Sequence, residues 1–141
     1  MKTIKTFTFF FLFVALAGLL TACSAGTPEL KGDAREAVLA YAEPIADNLL
    51  TGMREGNYQQ FNRDFDEKMM EAISQNEFEA LTKQLGDRIG SYQSREVLQV
   101  IDYGKVVTVV YRGKFEKADN VQILLTLAKQ EPHQVSGLYF K

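Results

Sequence analysis

The hydrophobic period changes once along this chain, and that change fixes the fold class. Before Arg95 the apolar residues recur at the ~3.6-residue spacing of helices; from Arg95 onward they alternate with period 2. Val38, Tyr41, Ala42, Ile45, Leu49 and Met53 trace one face of a helix expected over residues 34–54. Asp33, with Glu36 three residues on, is its expected N-cap. Pro44 lies inside and is expected to kink or split it, because proline has no backbone N–H to donate. Tyr58, Phe61, Phe65, Met69, Met70 and Ile73 continue as one or two short helices. Ser74-Gln75-Asn76-Glu77 is a capping box, opening a helix that carries Phe78, Leu81, Leu85 and Ile89 and ends at Gly90.

Residues 95–101, 105–116, 121–129 and 134–140 read as strands. The turn signals between them are Asp102-Tyr103-Gly104, Ala118-Asp119-Asn120 and Glu131-Pro132-His133. Three short connections in a row imply a four-stranded antiparallel meander. Helices first and sheet after give an α+β domain, with the N-terminal helices packed on one face of a curved sheet. Phe61 and Phe78 are expected in the core between the two layers. The alternation is imperfect, however. Val106 and Val110 intervene among Val107, Val109, Tyr111 and Phe115, and Leu124 separates Ile123 from Leu125. A sheet with one wet face alternates more cleanly. The outer face is therefore expected to meet a partner, either a second copy in a two-fold dimer or another protein, unless curling buries it within the monomer.

The first twenty-two residues belong to a different kind of segment. Lys2 and Lys5 precede an uncharged, mostly apolar run over residues 6–20, and small residues follow. That order is a secretory signal peptide, and the run is shorter than the ~20 residues of a comfortable membrane span. Leu20-Thr21-Ala22-Cys23 resembles the lipobox of bacterial lipoproteins, where an aliphatic and two small residues precede a cysteine. The resemblance implies a diacylglyceryl group on the Cys23 thiol and cleavage between Ala22 and Cys23. Two or more acyl chains give stable attachment where one is marginal. The expected organisation is a signal peptide over 1–22, a lipidated Cys23 with a flexible tether over 23–32, and one α+β domain over 33–141. The mature protein would be held by its lipid on the extracytoplasmic side of a cell membrane.

The folded part resembles the nuclear transport factor 2-like, cystatin-like cone, and within it a family of uncharacterised extracytoplasmic domains. The resemblance rests on Gly56-Asn57-Tyr58 with Phe61, on Phe65-Asp66 with Met69, and on residues 78–85. Ile89-Gly90-Ser91-Tyr92 and the closing Val135-Ser136-Gly137-Leu138-Tyr139-Phe140 complete it. It covers residues 34–141 and implies a cone-shaped cavity, with no assigned reaction. Enzymes of this fold place an Asp or Tyr in an apolar pocket, which makes Asp102, Tyr103, Tyr111 and Tyr41 the residues to inspect. Tyr41, Phe61, Phe65 and Tyr111 are the candidate pocket residues.

No catalytic set is recognisable in the sequence, and nothing like Gly-x-Ser-x-Gly is present. The one histidine, His133, falls in a turn, and the one cysteine, Cys23, is claimed by the lipobox. Together they are too few to build a zinc site, and no metal or cofactor is expected. Asp64, Asp66 and Glu67 lack the spacing of a calcium loop and read as an exposed helix start. Removal of residues 1–22 takes away two lysines and no acids, leaving 14 basic against 18 acidic residues, a balance of −4. That balance speaks against nucleic-acid binding. The expected function is a membrane-tethered module binding a small ligand or a protein. The alternatives are a small hydrolase or isomerase using the cone cavity, or a structural accessory of an envelope complex.

Overall fold

The computed structural model describes residues 28–141. Four helices come first: α1 (Gly32–Glu55), α2 (Tyr58–Phe61), α3 (Glu67–Ala72) and α4 (Gln75–Ile89). Four strands follow: β1 (Tyr92–Asp102), β2 (Val106–Phe115), β3 (Ala118–Ala128) and β4 (Val135–Phe140). They form one antiparallel sheet in the order β1-β2-β3-β4. The α+β class and the meander are as the period change implies.

Helix α1 runs unbroken through Pro44. The expected split does not occur because Ala42, Ile45, Ala46 and Leu49 around it are all buried, so packing carries the helix past the missing hydrogen bond. Asp33 is not the N-cap. Lys31 takes that place without a side-chain cap, and Asp33 sits in the first turn, where a carboxylate still faces the positive end of the helix dipole. Gly56, left-handed at φ 65°, ends α1, and the Asn57 N–H donates to the Gly52 carbonyl at 2.8 Å. Asn57 then caps α2, Asp66 caps α3, and the Ser74–Glu77 capping box opens α4.

Gly52 is where α1 and α2 touch. A Cβ there would lie 2.5 Å from the Phe61 backbone nitrogen and 2.9 Å from its Cα. Backbone cannot step aside as a side chain can. Gly52→Ala is expected to destabilise the domain by about 1–3 kcal/mol, the usual cost of overpacking. Urea unfolding followed by circular dichroism measures it.

The β2–β3 connection is tighter than the turn signal at Ala118-Asp119-Asn120 suggests. Phe115 pairs with Ala118, so only Glu116 and Lys117 turn. Their N–H groups donate to Ser91 and Ile89, which ties the hairpin to the end of α4. Strand β1 likewise starts at Tyr92 rather than 95, because the Tyr92 and Phe115 rings meet edge to face at 5.7 Å.

Each edge strand of the sheet is paired over a short stretch. On the β4 side, Asp64 and Asp66 bond to the Val135 backbone. On the β1 side, Leu30 donates to the Val100 carbonyl at 2.7 Å, and Asp102 donates to the Pro28 carbonyl at 3.0 Å. Residues 28–30 are therefore fixed along β1 and α1 begins at Gly32, which shortens the expected 23–32 tether from its C-terminal side. The expected signal peptide, with Ala22 and Cys23 at its expected cleavage site, lies outside the described residues.

The core lies between α1 and the inner sheet face. Val38, Ile45, Leu49 and Leu50 pack with Val100, Val109, Tyr111, Ile123 and Leu125. Phe61 joins it through two rings, Phe65 at 5.0 Å and Phe78 at 4.7 Å. Phe61 and Phe78 are both buried, as their spacing implies.

Candidate functional site

The outer face of the sheet carries an open groove with a largely apolar lining. Thr108 and Val110 on β2, Leu124 and Thr126 on β3, and Gly137 on β4 project away from the helices. They floor a groove of about 420 Å³, and Ile101, Tyr103, Tyr139 and Lys141 also line it. No Asp or Glu side chain is among its lining residues. Thr108 and Thr126 satisfy each other, their hydroxyls 2.9 Å apart. The floor is closed: Val110 and Thr108 are each only 7% exposed without any helix above them, while Val106 and Leu124 are half-buried. Part of this face is thus covered within one chain. What stays open is the rim, with Tyr103 55% and Tyr139 63% exposed.

The four candidate pocket residues do not line one pocket. Phe61 and Phe65 meet edge to face in the aromatic core described above. Tyr111 is fully buried and borders a small void among Ala46, Leu49, Leu50, Ile123, Leu125 and Leu138 that leaves no room for a water molecule. Tyr41 instead lies flat against His133, ring centroids 3.7 Å apart and planes 6° from parallel. His133 is thus a packed residue rather than a free turn residue, with Nδ1 3.2 Å from the Ala128 carbonyl. Burial pushes the Tyr41 phenol up, with Lys129 opposing and Asp102 adding. Asp102 is held below the usual carboxylate range by its hydrogen bond from Lys129 (2.8 Å) and then by the Gly104 N–H. So Asp102, Lys129, Tyr41 and His133 gather at one end of the sheet.

The acids of the α2–α3 region each have a structural use. Asp66 caps α3 through the Met69 N–H, and Asp64 accepts from Arg63 and Asn48. Among the described residues, no group of three His, Cys, Asp or Glu side chains could hold a metal ion.

One polar cluster was not singled out from the sequence. Arg95 points inward from β1, with its side chain 7% exposed. Its guanidinium donates to Glu43 Oε2 at 2.9 Å, Asp47 Oδ1 at 2.6 Å and the Tyr92 hydroxyl at 3.2 Å. It also lies 5.1 Å from the centroid of the Tyr111 ring, a cation–π distance. Burial opposes the charge on Arg95, but Asp47, Tyr92 and Glu43 outweigh it and keep the guanidinium protonated. Burial also drives the Tyr111 phenol far above the usual tyrosine range, with Glu43 adding and Arg95 opposing. Glu43 and Arg95 act on that hydroxyl through their charge but miss hydrogen-bond geometry. Tyr111 OH, Glu43 Oε1 and Arg95 Nε are left without partners. The available signal was Glu43 and Asp47, one helical turn apart on α1, facing a cation at the start of a strand.

The fold and its open face define a small α+β domain of helices on an antiparallel meander. The chain belongs to the family described as a protein of unknown function (DUF3887), whose profile matches residues 46–132. That match runs from the middle of α1 to the loop before β4, more than half of the chain. Neither a curated protein nor a solved structure matches the chain significantly.

Proposed function

We propose that the chain is an extracytoplasmic lipoprotein, anchored by lipid on Cys23, whose domain is a binding module of the nuclear transport factor 2-like cone type. The order of helices and meander supports the cone assignment. The Leu20-Thr21-Ala22-Cys23 box behind the apolar run supports the anchor. The binding half rests on one observation: an open groove, apolar at its floor and rimmed by exposed tyrosines, on the face no helix covers. Concave apolar surfaces with a few polar groups are the usual binding sites of small domains. A hydrolase or isomerase acting at Tyr111 finds less support, because the adjoining void has no room for water or substrate.

The anchor is tested directly. In Cys23→Ser cells the protein is expected in the soluble extracytoplasmic fraction, or as a precursor that keeps residues 1–22. Mass spectrometry of the native protein should find an N-terminal Cys23 carrying acyl groups. A different mature N-terminus with an unmodified Cys23 thiol would refute the anchor.

A further inference from the structure

The chain enters the domain at one end of the open groove. Pro28 is hydrogen-bonded to Asp102, and Glu29 lies opposite Ile101. Ile101 and Tyr103, the neighbours of Asp102, both line the groove. Residue 28 is therefore fixed beside the rim. Five residues of chain lead from Cys23 to Pro28, and they reach ~18 Å at full extension. A lipid on Cys23 thus keeps residue 28, which is bonded next to the Tyr103 end of the groove, within ~18 Å of the lipidated residue, whatever path the intervening chain takes.

The rim matches a bilayer surface in chemistry. Tyr103 and Tyr139 are the two most exposed of the large hydrophobic side chains among the described residues. Tyrosine pairs an apolar ring with a polar tip, and so favours the headgroup layer. Lys141 Nζ sits 6.0 Å from the centroid of the Tyr139 ring, and Lys141 carries the one charged side chain among the lining residues. Lys105, exposed, follows Tyr103 in the same turn. Cations near a membrane surface attract anionic lipid, and the lining contains no Asp or Glu side chain.

We propose that the anchored protein lies with its open sheet face against the membrane. Tyr103 and Tyr139 enter the headgroup layer, Lys141 meets lipid phosphates, and helix α4 points away. This deepens the lipoprotein reading and rests on it. The tether brings a bilayer to the rim, whereas no comparable constraint brings a second copy there.

The chain has no tryptophan, so a single introduced one reports its own surroundings. The lipidated full-length product carrying Tyr139→Trp is placed in phosphatidylethanolamine–phosphatidylglycerol vesicles, with and without acyl chains brominated near the headgroup. Gln84→Trp, at an exposed position of α4, is the matched control. Bromine is expected to remove most of the Tyr139→Trp emission and to leave that of Gln84→Trp unchanged. Equal quenching of the two, or none, overturns the orientation. Emission of Tyr139→Trp that ignores bromine but shifts with protein density in the vesicle assigns the face to a second copy, and also overturns it. Mass spectrometry of the same samples separates the two levels. An unlipidated Cys23 brings down the anchor and the orientation with it, whereas a lipidated Cys23 with bromine-indifferent emission brings down the orientation alone.

Discussion

Phe61→Ala is expected to lower the unfolding free energy by about 3–5 kcal/mol, the usual range for a core phenylalanine. Phe61 is 1% exposed and sits at the junction of three elements. Its ring meets Phe65 edge-on and Phe78 of α4, while its backbone touches α1 at Gly52. Truncation removes the ring that both neighbours lean on. It also leaves a cavity that the short helices α2 and α3 can only partly close. Met70→Ala, at a residue 44% exposed, should change stability by no more than ~0.5 kcal/mol. Urea unfolding of residues 23–141 with Cys23→Ser, followed by circular dichroism, compares them. A Phe61→Ala midpoint close to that of Met70→Ala would mean that the aromatic cluster does not hold the helices to the sheet.

The same residues explain how far the sequence could be read. Phe61, Phe78, Leu81 and Leu85 were legible because burial on a helix imposes a 3.6-residue rhythm. The Ser74–Glu77 box was legible because capping requires those residue types at that spacing. The pairing of residues 28–30 with β1 was hidden. Backbone hydrogen bonds ask nothing of side chains, so a stretch rich in Gly, Pro and Ser passes for tether. The Ala118-Asp119-Asn120 signal pointed a few residues too late, since the Phe115–Ala118 pairing rather than turn composition sets where the hairpin closes. On the outer face, the excess of apolar residues was visible in the alternation, but the burial of Val110 was not. That burial depends on side chains brought in from neighbouring strands, such as Ile101, Leu124 and Tyr139, which period 2 does not encode. Tyr41 and Tyr111 looked like equivalent candidates in the sequence. Only the tertiary structure separates them, one against His133 and the other among three unpartnered polar atoms.

Arg95→Met is expected to destabilise the domain by about 2–4 kcal/mol, somewhat less than the loss of one partner from a fully buried ion pair. The discount follows from exposure. The Arg95 side chain is almost sealed at 7%, but those of Glu43 and Asp47 are 40% and 70% exposed and can regain water once the cation is gone. What cannot be recovered is the inner end of the cluster. Glu43 Oε1 and the Tyr111 hydroxyl are already without hydrogen-bond partners, and the guanidinium is the positive charge that faces them. Removing the anionic partner as well should therefore return part of the loss. In Arg95→Met with Glu43→Met, two flexible apolar side chains replace a buried charge and its counter-charge, an exchange that is often neutral or stabilising. The double variant is expected to be more stable than Arg95→Met alone, and the coupling between the two sites should exceed ~1 kcal/mol. Denaturant midpoints of the four proteins in this cycle supply the measurement. Additive single effects, or an Arg95→Met loss below ~1 kcal/mol, would mean that water serves this cluster as well as the arginine does. The large predicted coupling follows from where the partners stand: α1 supplies the two carboxylates and β1 the cation. The cluster therefore joins the first helix to the first strand across the point where the hydrophobic period of the chain changes.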